Sequence, residues 1–483
     1  MPETLKRLDI DDILLKFSNK MLLENVAPEK LSTLSIIPVP KKGDLRLTNN
    51  YRGIALTSLV SKLINRMILN RIRPIIDPLL RGNQAGFRPG KSTTSQVLAL
   101  RRVLEGVREK SLPAILVFVD FCKAFDSISH ASMFNILESY GIPPKLLGMI
   151  KLCYENLKAK VKSEDGETDY FKIHAGVMQG DTLAPFLFIL VLDHAMTKAI
   201  NGRELELGLT LQKRQSSRNP GKAICDLDFA DDIVLLADDI ERAKELLKAV
   251  QLECRKVGLE LNNKKTEAMY FNNPISPIST VDGTPIKQAK TECGDQDCKY
   301  LGCWSCQDRE IQTRKALAWQ SLNKMSKVWK SKIDPKIKMV LFQATTESIL
   351  TYGCATWTLT ERDENKLDGT YTKMLRAVFN ISWKDKIPNE QLYAGHQKLS
   401  QLIRTRRLKL AGHMFRDVTN PAHSLVTWKP KHGTAKIGRP SASFPDILCS
   451  DLQIETVREL EQHMRDRNSW RFLTSRDICP DQK

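Results

Sequence analysis

The sequence predicts an α+β fold, in which short buried strands pack against a larger number of helices. Two short apolar runs rich in β-branched residues, 114–121 (AILVFVDF) and 225–237 (CDLDFADDIVLLA), indicate the strands, the second run forming two strands around a turn. Apolar residues at helical spacing recur at 60–76, 129–140, 183–200 and 240–257. From about residue 311 onward the pattern is mostly helical. A chain of 483 residues is too long for one ordinary domain, so we expect two or three lobes.

The charge balance favours a polyanionic partner. The chain has 74 Lys and Arg against 56 Asp and Glu, a formal net charge of +18, and nucleic acid is the commonest partner of such a protein. A basic protein without such a partner is the alternative on charge alone. The excess is concentrated between Thr313 and Arg416, where 20 basic residues face 8 acidic ones. That helix-like segment also carries four tryptophans, which are more often core than contacts to nucleic acid: Trp319, Trp329, Trp357 and Trp383.

Neither a membrane nor an oxidising compartment is indicated. The amino-terminal residues include acids and no apolar signal region, and the apolar run 185–192 is too short to span a bilayer. We therefore expect no membrane. The 11 cysteines form no regular framework, which predicts reduced thiols and an intracellular location, in the nucleus and/or the cytoplasm. Four cysteines lie close together in the sequence: Cys293, Cys298, Cys303 and Cys306. Zinc binding is an alternative for this cluster, but only its last pair has ligand-like spacing, and we favour free thiols.

Acidic residues interrupt both strand-like runs. Asp120 ends the first run, and Asp231 and Asp232 lie inside the second. If the strands are neighbours, these carboxylates come within a few ångströms of one another. Two carboxylates ~4 Å apart repel by roughly 4 kcal/mol at an effective dielectric of 20. A divalent cation turns that repulsion into binding, and carboxylate oxygens suit Mg²⁺ or Mn²⁺.

The three acids are not equivalent. Adjacent strand residues point to opposite faces, so Asp231 and Asp232 can share a site only at a turn, and Asp232 is the weaker third ligand. Two metal ions held there can activate a 3′-hydroxyl and stabilise leaving pyrophosphate. The alternative is that such acids cap turns or helices, which we favour for the neighbouring pair Asp238 and Asp239.

Eight segments in order resemble one family. The chain is similar to the reverse transcriptases of non-LTR (LINE-type) retrotransposons from about residue 34 to residue 305. The segments are IIPVPKKGD (36–44), NNYRGIALTSLVSKLINRMILNRI (49–72), NQAGFRPGKST (83–93), VFVDFCKAFDSI (117–128), AGVMQGDTLAPFLF (175–188), LDFADDIVLLA (227–237), GLELNNKKTEAM (258–269) and YLG (300–302). One departure is Phe229, where the family usually has tyrosine before Ala-Asp-Asp.

The resemblance implies a right-hand polymerase fold, with fingers, a palm whose antiparallel sheet packs on helices, a helical thumb and a small carboxyl-terminal region. By position, residues 1–112 are the amino-terminal segment and fingers, and residues 113–305 are the palm with inserted finger elements. Residues 306–400 are the thumb, and residues 401–483 are a basic region of unclear role. The implied activity is RNA-directed DNA polymerisation, with an RNA template, a DNA primer, dNTPs and two Mg²⁺ (or Mn²⁺) ions. The sequence indicates no oligomeric state.

The resemblance also assigns the residues of the catalytic centre. It makes Asp120, Asp231 and Asp232 the metal ligands. Phe125 stands where the family has the aromatic gate that excludes a ribose 2′-hydroxyl, which selects dNTPs over rNTPs. A plain core aromatic is the alternative for this residue.

Four further residues match the family's substrate-binding positions. Gln179 and Gly180 match the loop that packs on the incoming nucleotide, where a side chain in place of Gly180 would clash. Arg52 is similar to the fingers arginine that faces the triphosphate. Lys265 fits the lysine near the end of the palm, which could protonate departing pyrophosphate as a general acid. Weaker candidates for the triphosphate are Lys41 and Lys42.

The resemblance leaves two other functions open. Because no endonuclease or ribonuclease H pattern is present, we expect a polymerase-only fragment, a truncated copy or a host-adopted copy. The chief alternative is a catalytically silent nucleic-acid-binding protein that retains the fold, although the intact carboxylates argue against it. A group II intron maturase would require a maturase domain after the thumb, and the sequence shows none.

Overall fold

The computed structural model describes residues 11–26, 28, 31–41, 43–164, 166–292, 295–393, 396–435 and 442–476. The strands are β1 (Thr33–Pro40), β2 (Tyr51–Leu56), β3 (Ala114–Val119), β4 (Lys158–Ser163), β5 (Gly166–Glu167), β6 (Phe171–Lys172), β7 (Leu209–Gln212), β8 (Lys222–Ile224), β9 (Asp226–Phe229), β10 (Asp232–Ala237), β11 (Glu267–Phe271), β12 (Lys287–Gln288), β13 (Thr291–Glu292), β14 (Asp295–Gln296), β15 (Lys299–Tyr300) and β16 (Cys303–Trp304).

The helices are on average longer than the strands, and they cover both faces of the central sheet. They are α1 (Asp11–Glu24), α2 (Leu59–Ile76), α3 (Thr93–Glu109), α4 (Ala124–Ser127), α5 (His130–Ser139), α6 (Pro144–Tyr154), α7 (Ala184–Ile200), α8 (Glu204–Leu207), α9 (Ile240–Lys256), α10 (Gln307–Lys324), α11 (Ser326–Trp329), α12 (Pro335–Phe342), α13 (Ser348–Leu350), α14 (Glu361–Val378), α15 (Asn389–Leu392), α16 (Leu399–Arg416), α17 (Pro421–Leu425), α18 (Phe444–Leu452), α19 (Val457–Arg465) and α20 (Arg467–Arg476). The predicted α+β class is confirmed.

Within the described residues, five strands form the central sheet, in the order β12-β11-β3-β10-β9. β3 is the middle strand and pairs antiparallel with β10 on one side and β11 on the other. Ile115 and Val117 of β3 enter one hydrophobic core, whereas Ala114 and Leu116 enter another, as strand alternation requires. The sheet is therefore buried on both faces, which explains why its strands appear in the sequence as continuous apolar runs.

Different parts of the chain cover the two faces of this sheet. Helices α2, α5, α6, α7 and α9 pack on the first face. The second face is covered by α3 together with helices α16–α20. The carboxyl-terminal helices, to which the sequence assigned no clear role, thus complete the second core.

A third core lies within the helices that follow the sheet. Helices α10–α15 bury Trp329, Trp357 and other apolar residues against one another. α16 joins this core to the second one, because Leu399 and Ile403 at its start belong to the third core while Leu408 belongs to the second.

A second sheet carries Arg52, one of the predicted site residues. Its strand order is β2-β1-β4-β5, with β6 also paired to β4. β1 and β2 are antiparallel, and β1 and β4 are parallel. This sheet positions Arg52 on β2 opposite Val39 of β1.

Two local expectations were confirmed. The helix expected over 60–76 is α2, which ends at Ile76, where Ile72 and Ile76 are buried and hold its last turn against the core. The expected helix cap was right, since the Asp239 side chain accepts a hydrogen bond from the Arg242 backbone N–H at the start of α9. In the part of the chain that the structure describes, no helix is both long and apolar enough to cross a bilayer.

Candidate active site

Three carboxylates lie where two neighbouring strands end. The ladder between β3 and β10 pairs Val119 with Ile233, so the next residues, Asp120 and Asp232, leave the sheet side by side. Asp231 precedes Asp232 in the turn between β9 and β10. The three acids of the sequence prediction are therefore brought together at one edge of the sheet.

The turn before the acids is held in an unusual backbone conformation by Gln84. Ala230 has a φ of 55°, in the left-handed region. The Gln84 side-chain oxygen accepts hydrogen bonds from the backbone N–H groups of Ala230 and Gly86, each at 2.8 Å. Gly86 has to be glycine, because a Cβ there would lie 2.3 Å from the Ala230 nitrogen. The loop around Gln84 thus fixes the direction in which Asp231 and Asp232 leave the turn.

The pKa values of the paired acids are raised. For Asp232 the pKa rises to about 6, mainly because the protein displaces water from the carboxyl, with further repulsion from Asp231 and Asp120. For Asp231 the pKa is also raised by burial and by Asp120, while Arg52 and Lys265 oppose the shift. The acids therefore share one electrostatic environment with two cations.

Asp120 is held by a turn that also carries Lys265. Its backbone C=O accepts a hydrogen bond from the Asn262 N–H at 2.7 Å, and its own N–H donates to the Thr266 hydroxyl at 3.4 Å. The Lys265 ammonium lies 3.4 Å from Asp120 Oδ2. This buried carboxylate oxygen accepts no hydrogen bond from any described residue, so an ion pair with an exposed lysine is its main compensation.

The donor set suits a hard cation, although it is not a preformed cage. Three carboxylates that repel one another, one of them with a buried oxygen that accepts no hydrogen bond, are the ligands that Mg²⁺ or Mn²⁺ prefers. Among the described residues, no three Asp, Glu, His or Cys side chains are close enough to hold an ion without rearrangement. This includes Cys298, Cys303 and Cys306, while Cys293 lies outside the described residues.

Phe125 sits in an aromatic cluster with Phe87 and Phe188. Its ring stacks on Phe188, with centroids 4.3 Å apart and planes 9° apart, and meets the edge of Phe87 at 6.1 Å. Its backbone C=O accepts a hydrogen bond from the Val177 N–H at 2.6 Å. Phe188 therefore restrains one face of the ring, while Phe125 as a whole is only half-buried.

The loop that contains Gln179 and Gly180 is bonded to β2. The Gln179 C=O accepts a hydrogen bond from the Ala55 N–H at 2.7 Å. Gly180 has a φ of 118°, and a Cβ on it would lie 2.6 Å from the Ala55 oxygen. Close packing of two backbones thus requires the glycine, and it ties this loop to the strand of Arg52. Burial raises the pKa of Asp126, and the charges of Lys123 and of the exposed Lys41 offset this shift only in part. Lys42 lies outside the described residues.

The model of one protein family matches this chain. That family is described as "Reverse transcriptase (RNA-dependent DNA polymerase)", and it matches residues 39–305, more than half of the chain. The chain belongs to the reverse transcriptase family. The match contains all eight of the predicted site residues, from Arg52 to Lys265.

Curated relatives of this reverse transcriptase come from transposable elements. An uncharacterized protein of transposon TX1 from Xenopus laevis is 29% identical over 269 residues, which covers 55% of this chain and 19% of that protein. A putative uncharacterized transposon-derived protein of Caenorhabditis elegans is 26% identical over 273 residues, 53% of this chain and 97% of that protein. The RNA-directed DNA polymerase from mobile element jockey of Drosophila funebris is 26% identical over 388 residues, 76% of this chain and 39% of that protein.

These relatives confirm the predicted family. The chain carries a reverse transcriptase domain of the LINE type. It spans about a fifth of the Xenopus protein and less than half of the jockey polymerase.

Two residues that bind β9 or the turn after it received no role from the sequence. Gln84 lies in a quoted segment, but its contact with Ala230 joins residues 146 positions apart. Arg81 is the second: its guanidinium binds Asp193 at 3.0 Å and Asp226 and Asp228 at 2.7 Å each. The signal for Gln84 is a polar side chain directly before the Ala-Gly-Phe turn, and Arg81 lies three positions earlier.

Proposed function

We propose that this chain is an RNA-directed DNA polymerase that extends a DNA primer with dNTPs on an RNA template. The observation that carries the proposal is the convergence of Asp120, Asp231 and Asp232 at the ends of β3 and β10, with Lys265 and Arg52 within electrostatic range. Carboxylates flanked by two cations suit the transfer of a nucleotidyl group from a polyphosphate, because both metals and phosphates have to be bound.

The three carboxylates provide the proposed metal site. When bound, two Mg²⁺ or Mn²⁺ ions would supply Lewis acidity toward the primer 3′-hydroxyl and the leaving pyrophosphate. Two hydrogen bonds hold the backbone of Asp120: its C=O accepts from the Asn262 N–H, and its N–H donates to the Thr266 hydroxyl. Asp231 and Asp232 are fixed through the Gln84 contacts to the turn. The protein thus restrains the backbone that carries these ligands, while the side chains rearrange to hold an ion.

Five other residues act on the nucleotide in this proposal. Arg52 pairs with the triphosphate, and Lys265, 68% exposed at its side chain, leaves Asp120 to protonate departing pyrophosphate. Phe125 occupies the space of a ribose 2′-hydroxyl, since its stacking on Phe188 prevents it from turning away. Gly180, with its neighbour Gln179, lets the loop approach the nucleotide closely.

The division into lobes belongs to the same proposal. Residues 1–112, 113–305 and 306–400 serve as fingers, palm and thumb, and the basic residues between 313 and 416 hold the template–primer duplex. The carboxyl-terminal region, residues 401–483, supports the palm through the second core. An intracellular location, in the nucleus and/or the cytoplasm, follows from the need for RNA templates and dNTPs.

Primer extension tests the proposal. Purified protein is incubated with an RNA template, a DNA primer, labelled dNTPs and Mg²⁺ or Mn²⁺. We expect incorporation by the native chain and by Asp239→Asn, and loss of at least about a thousandfold for Asp231→Asn, because a metal ligand is removed. The matched control removes one carboxylate from the other Asp-Asp pair while an amide oxygen can still cap α9. Equal incorporation by the native chain and Asp231→Asn would contradict the proposal and favour a silent nucleic-acid-binding protein.

A further inference from the structure

One tryptophan is far more exposed to solvent than is usual for such a large apolar side chain. Among the large apolar side chains that the structure describes, none is more exposed than Trp383, at 84%. Trp329, Trp357 and Trp470 are buried, as is usual for the largest apolar side chain. Keeping a whole indole in water forgoes the stabilisation that its burial would provide.

The loop that presents this indole is rigid. Ser382 and Asp385 form a capping box around the short helical turn that carries it, with the Ser382 N–H donating to Asp385 Oδ2 at 2.6 Å. Arg376 of α14 donates to the Ile387 C=O at 2.7 Å and so closes the far end of the loop. Trp383 is therefore held outward by the fold, and a partner would bind it without first ordering the loop.

The surroundings of the indole are basic. The Lys384 ammonium lies 6.0 Å from the centre of the Trp383 ring. Between residues 373 and 390 the basic side chains outnumber the acidic pair Asp385 and Glu390. The basic residues are Lys373, Arg376, Lys384 and Lys386. A flat aromatic face beside ammonium groups matches a nucleobase with its flanking phosphates.

The loop follows the carboxyl end of α14, a helix that begins beside α3. α14 begins at a cavity that it shares with Arg101 and Leu98 of α3, next to the central sheet. Its 18 residues make it about 27 Å long, and the Trp383 loop follows its other end. The Trp383 loop is therefore about one helix length away from the cavity beside α3.

We propose that Trp383 stacks on an unpaired base of a single-stranded nucleic acid, while Lys384 and Lys386 bind the adjacent phosphates. The proposal rests on the proposed function, which brings a nucleic-acid strand to the helices that follow the palm. Stacking tolerates any base, so the site captures a strand without reading its sequence.

Tryptophan fluorescence tests this site without polymerisation. A 12-nucleotide single strand is titrated into the full chain in the absence of dNTPs, once as oligouridylate and once as oligothymidylate, to distinguish RNA from DNA. We expect saturable quenching that is largely lost in Trp383→Phe, because the stacked indole is the fluorophore. Trp383→Ala should bind single strands roughly tenfold more weakly, since it removes the stacking face.

The controls separate stacking from folding and from nonspecific attraction. Val418→Ala alters another highly exposed apolar residue, 74% exposed, and should bind like the native chain. A blunt duplex of the same length should show no difference between Trp383→Ala and the native chain. Three results would each overturn the proposal. The first is a single-strand affinity of Trp383→Ala equal to that of the native chain, and the second is an equal loss of affinity for the duplex in this variant. The third is quenching that follows the protein concentration and not the concentration of the added strand. Primer extension by the native chain decides the proposed function separately.

Discussion

Two Asp-Asp pairs that lie seven residues apart in the sequence have different roles in this chain. Asp231 and Asp232 lie at a turn where their carboxyls crowd Asp120, and the pKa values of both acids are raised. Asp238 instead accepts hydrogen bonds from the Thr210 backbone N–H and hydroxyl, and Asp239 caps α9. The chemistry of an Asp-Asp pair thus depends on which strands and turns surround it, and local sequence alone does not decide it.

Substitution of Phe125 tests the proposed sugar gate. Phe125→Val should raise incorporation of rNTPs relative to dNTPs by at least about tenfold, because the smaller side chain leaves room for a 2′-hydroxyl. The measurement is single-nucleotide extension with each substrate in turn. Phe134→Leu, which alters another partly buried ring packed on the same core, is the matched control and should leave the ratio unchanged. An unchanged ratio in Phe125→Val would identify the residue as a plain core aromatic.

Substitution of Gln84 tests whether the turn before the acids is held from outside. Gln84→Ala leaves the backbone N–H groups of Ala230 and Gly86 without their acceptor. The free energy of unfolding should fall by about 1–3 kcal/mol, and extension should slow by roughly a hundredfold as the carboxylates move. Gln251→Ala removes another buried glutamine, which accepts from the Val281 N–H. This control should lose stability only, and equal activity losses in the two variants would refute the positioning role.

At the scale of elements, much of the central sheet could be predicted from the sequence. Residues 114–119 and 232–237 form strands as their apolar runs indicate, and the helix predicted over 129–140 is α5, His130–Ser139. What the sequence could not predict is the set of contacts between distant elements, such as the one between Arg81 and β9. The three acids that share Arg81 have no regular spacing in the sequence from which this cluster could be predicted.

The Arg81 cluster should make stability depend on pH. Burial and the neighbouring Asp226 raise the pKa of Asp228 well above its ordinary value. The folded chain therefore keeps a proton that the unfolded chain releases above about pH 4, so the free energy of unfolding falls as pH rises from there toward the folded-state pKa. Urea unfolding at a series of pH values measures this slope.

Substitution of Asp228 isolates its contribution. Asp228→Asn cannot ionise but keeps an oxygen for Arg81, so its advantage over the native chain should grow as pH rises above about 4. Asp226 and Asp193 remain in the variant, and their titration cancels in the comparison to a first approximation. A difference that stays constant across this range would show that Asp228 is ionised in the folded chain.

At the scale of the whole molecule, the carboxyl-terminal helices are part of the main body. α3 links them to the sheet, since Arg102 donates to the Leu425 C=O across 323 positions of sequence. The sequence shows that β3 is apolar on both faces, yet it cannot show which distant helices cover the second face. This is why the region after residue 400 had no role before its packing was known.

Arg407 tests this connection between the cores. It is buried in α16, where it pairs with Asp451 of α18 at 2.8 Å and donates to the Trp357 C=O at 3.0 Å. Arg407→Ala leaves Asp451 without its buried guanidinium, and the free energy of unfolding should fall by about 3–5 kcal/mol. Arg458→Ala, an exposed arginine in α19, should change it by less than about 0.5 kcal/mol. Similar losses in the two variants on urea unfolding would contradict the assigned role.

Template-directed addition of one nucleotide tests the central claim most directly. Four RNA templates that differ only in the first unpaired base are each paired with the same DNA primer and offered all four dNTPs. The account predicts that the native chain adds the complementary nucleotide in each case, that a chelator stops addition and Mg²⁺ or Mn²⁺ restores it, and that Asp120→Asn and Asp232→Asn add none. Addition that ignores the template base, or that persists in both variants, would contradict a polymerase centred on these carboxylates.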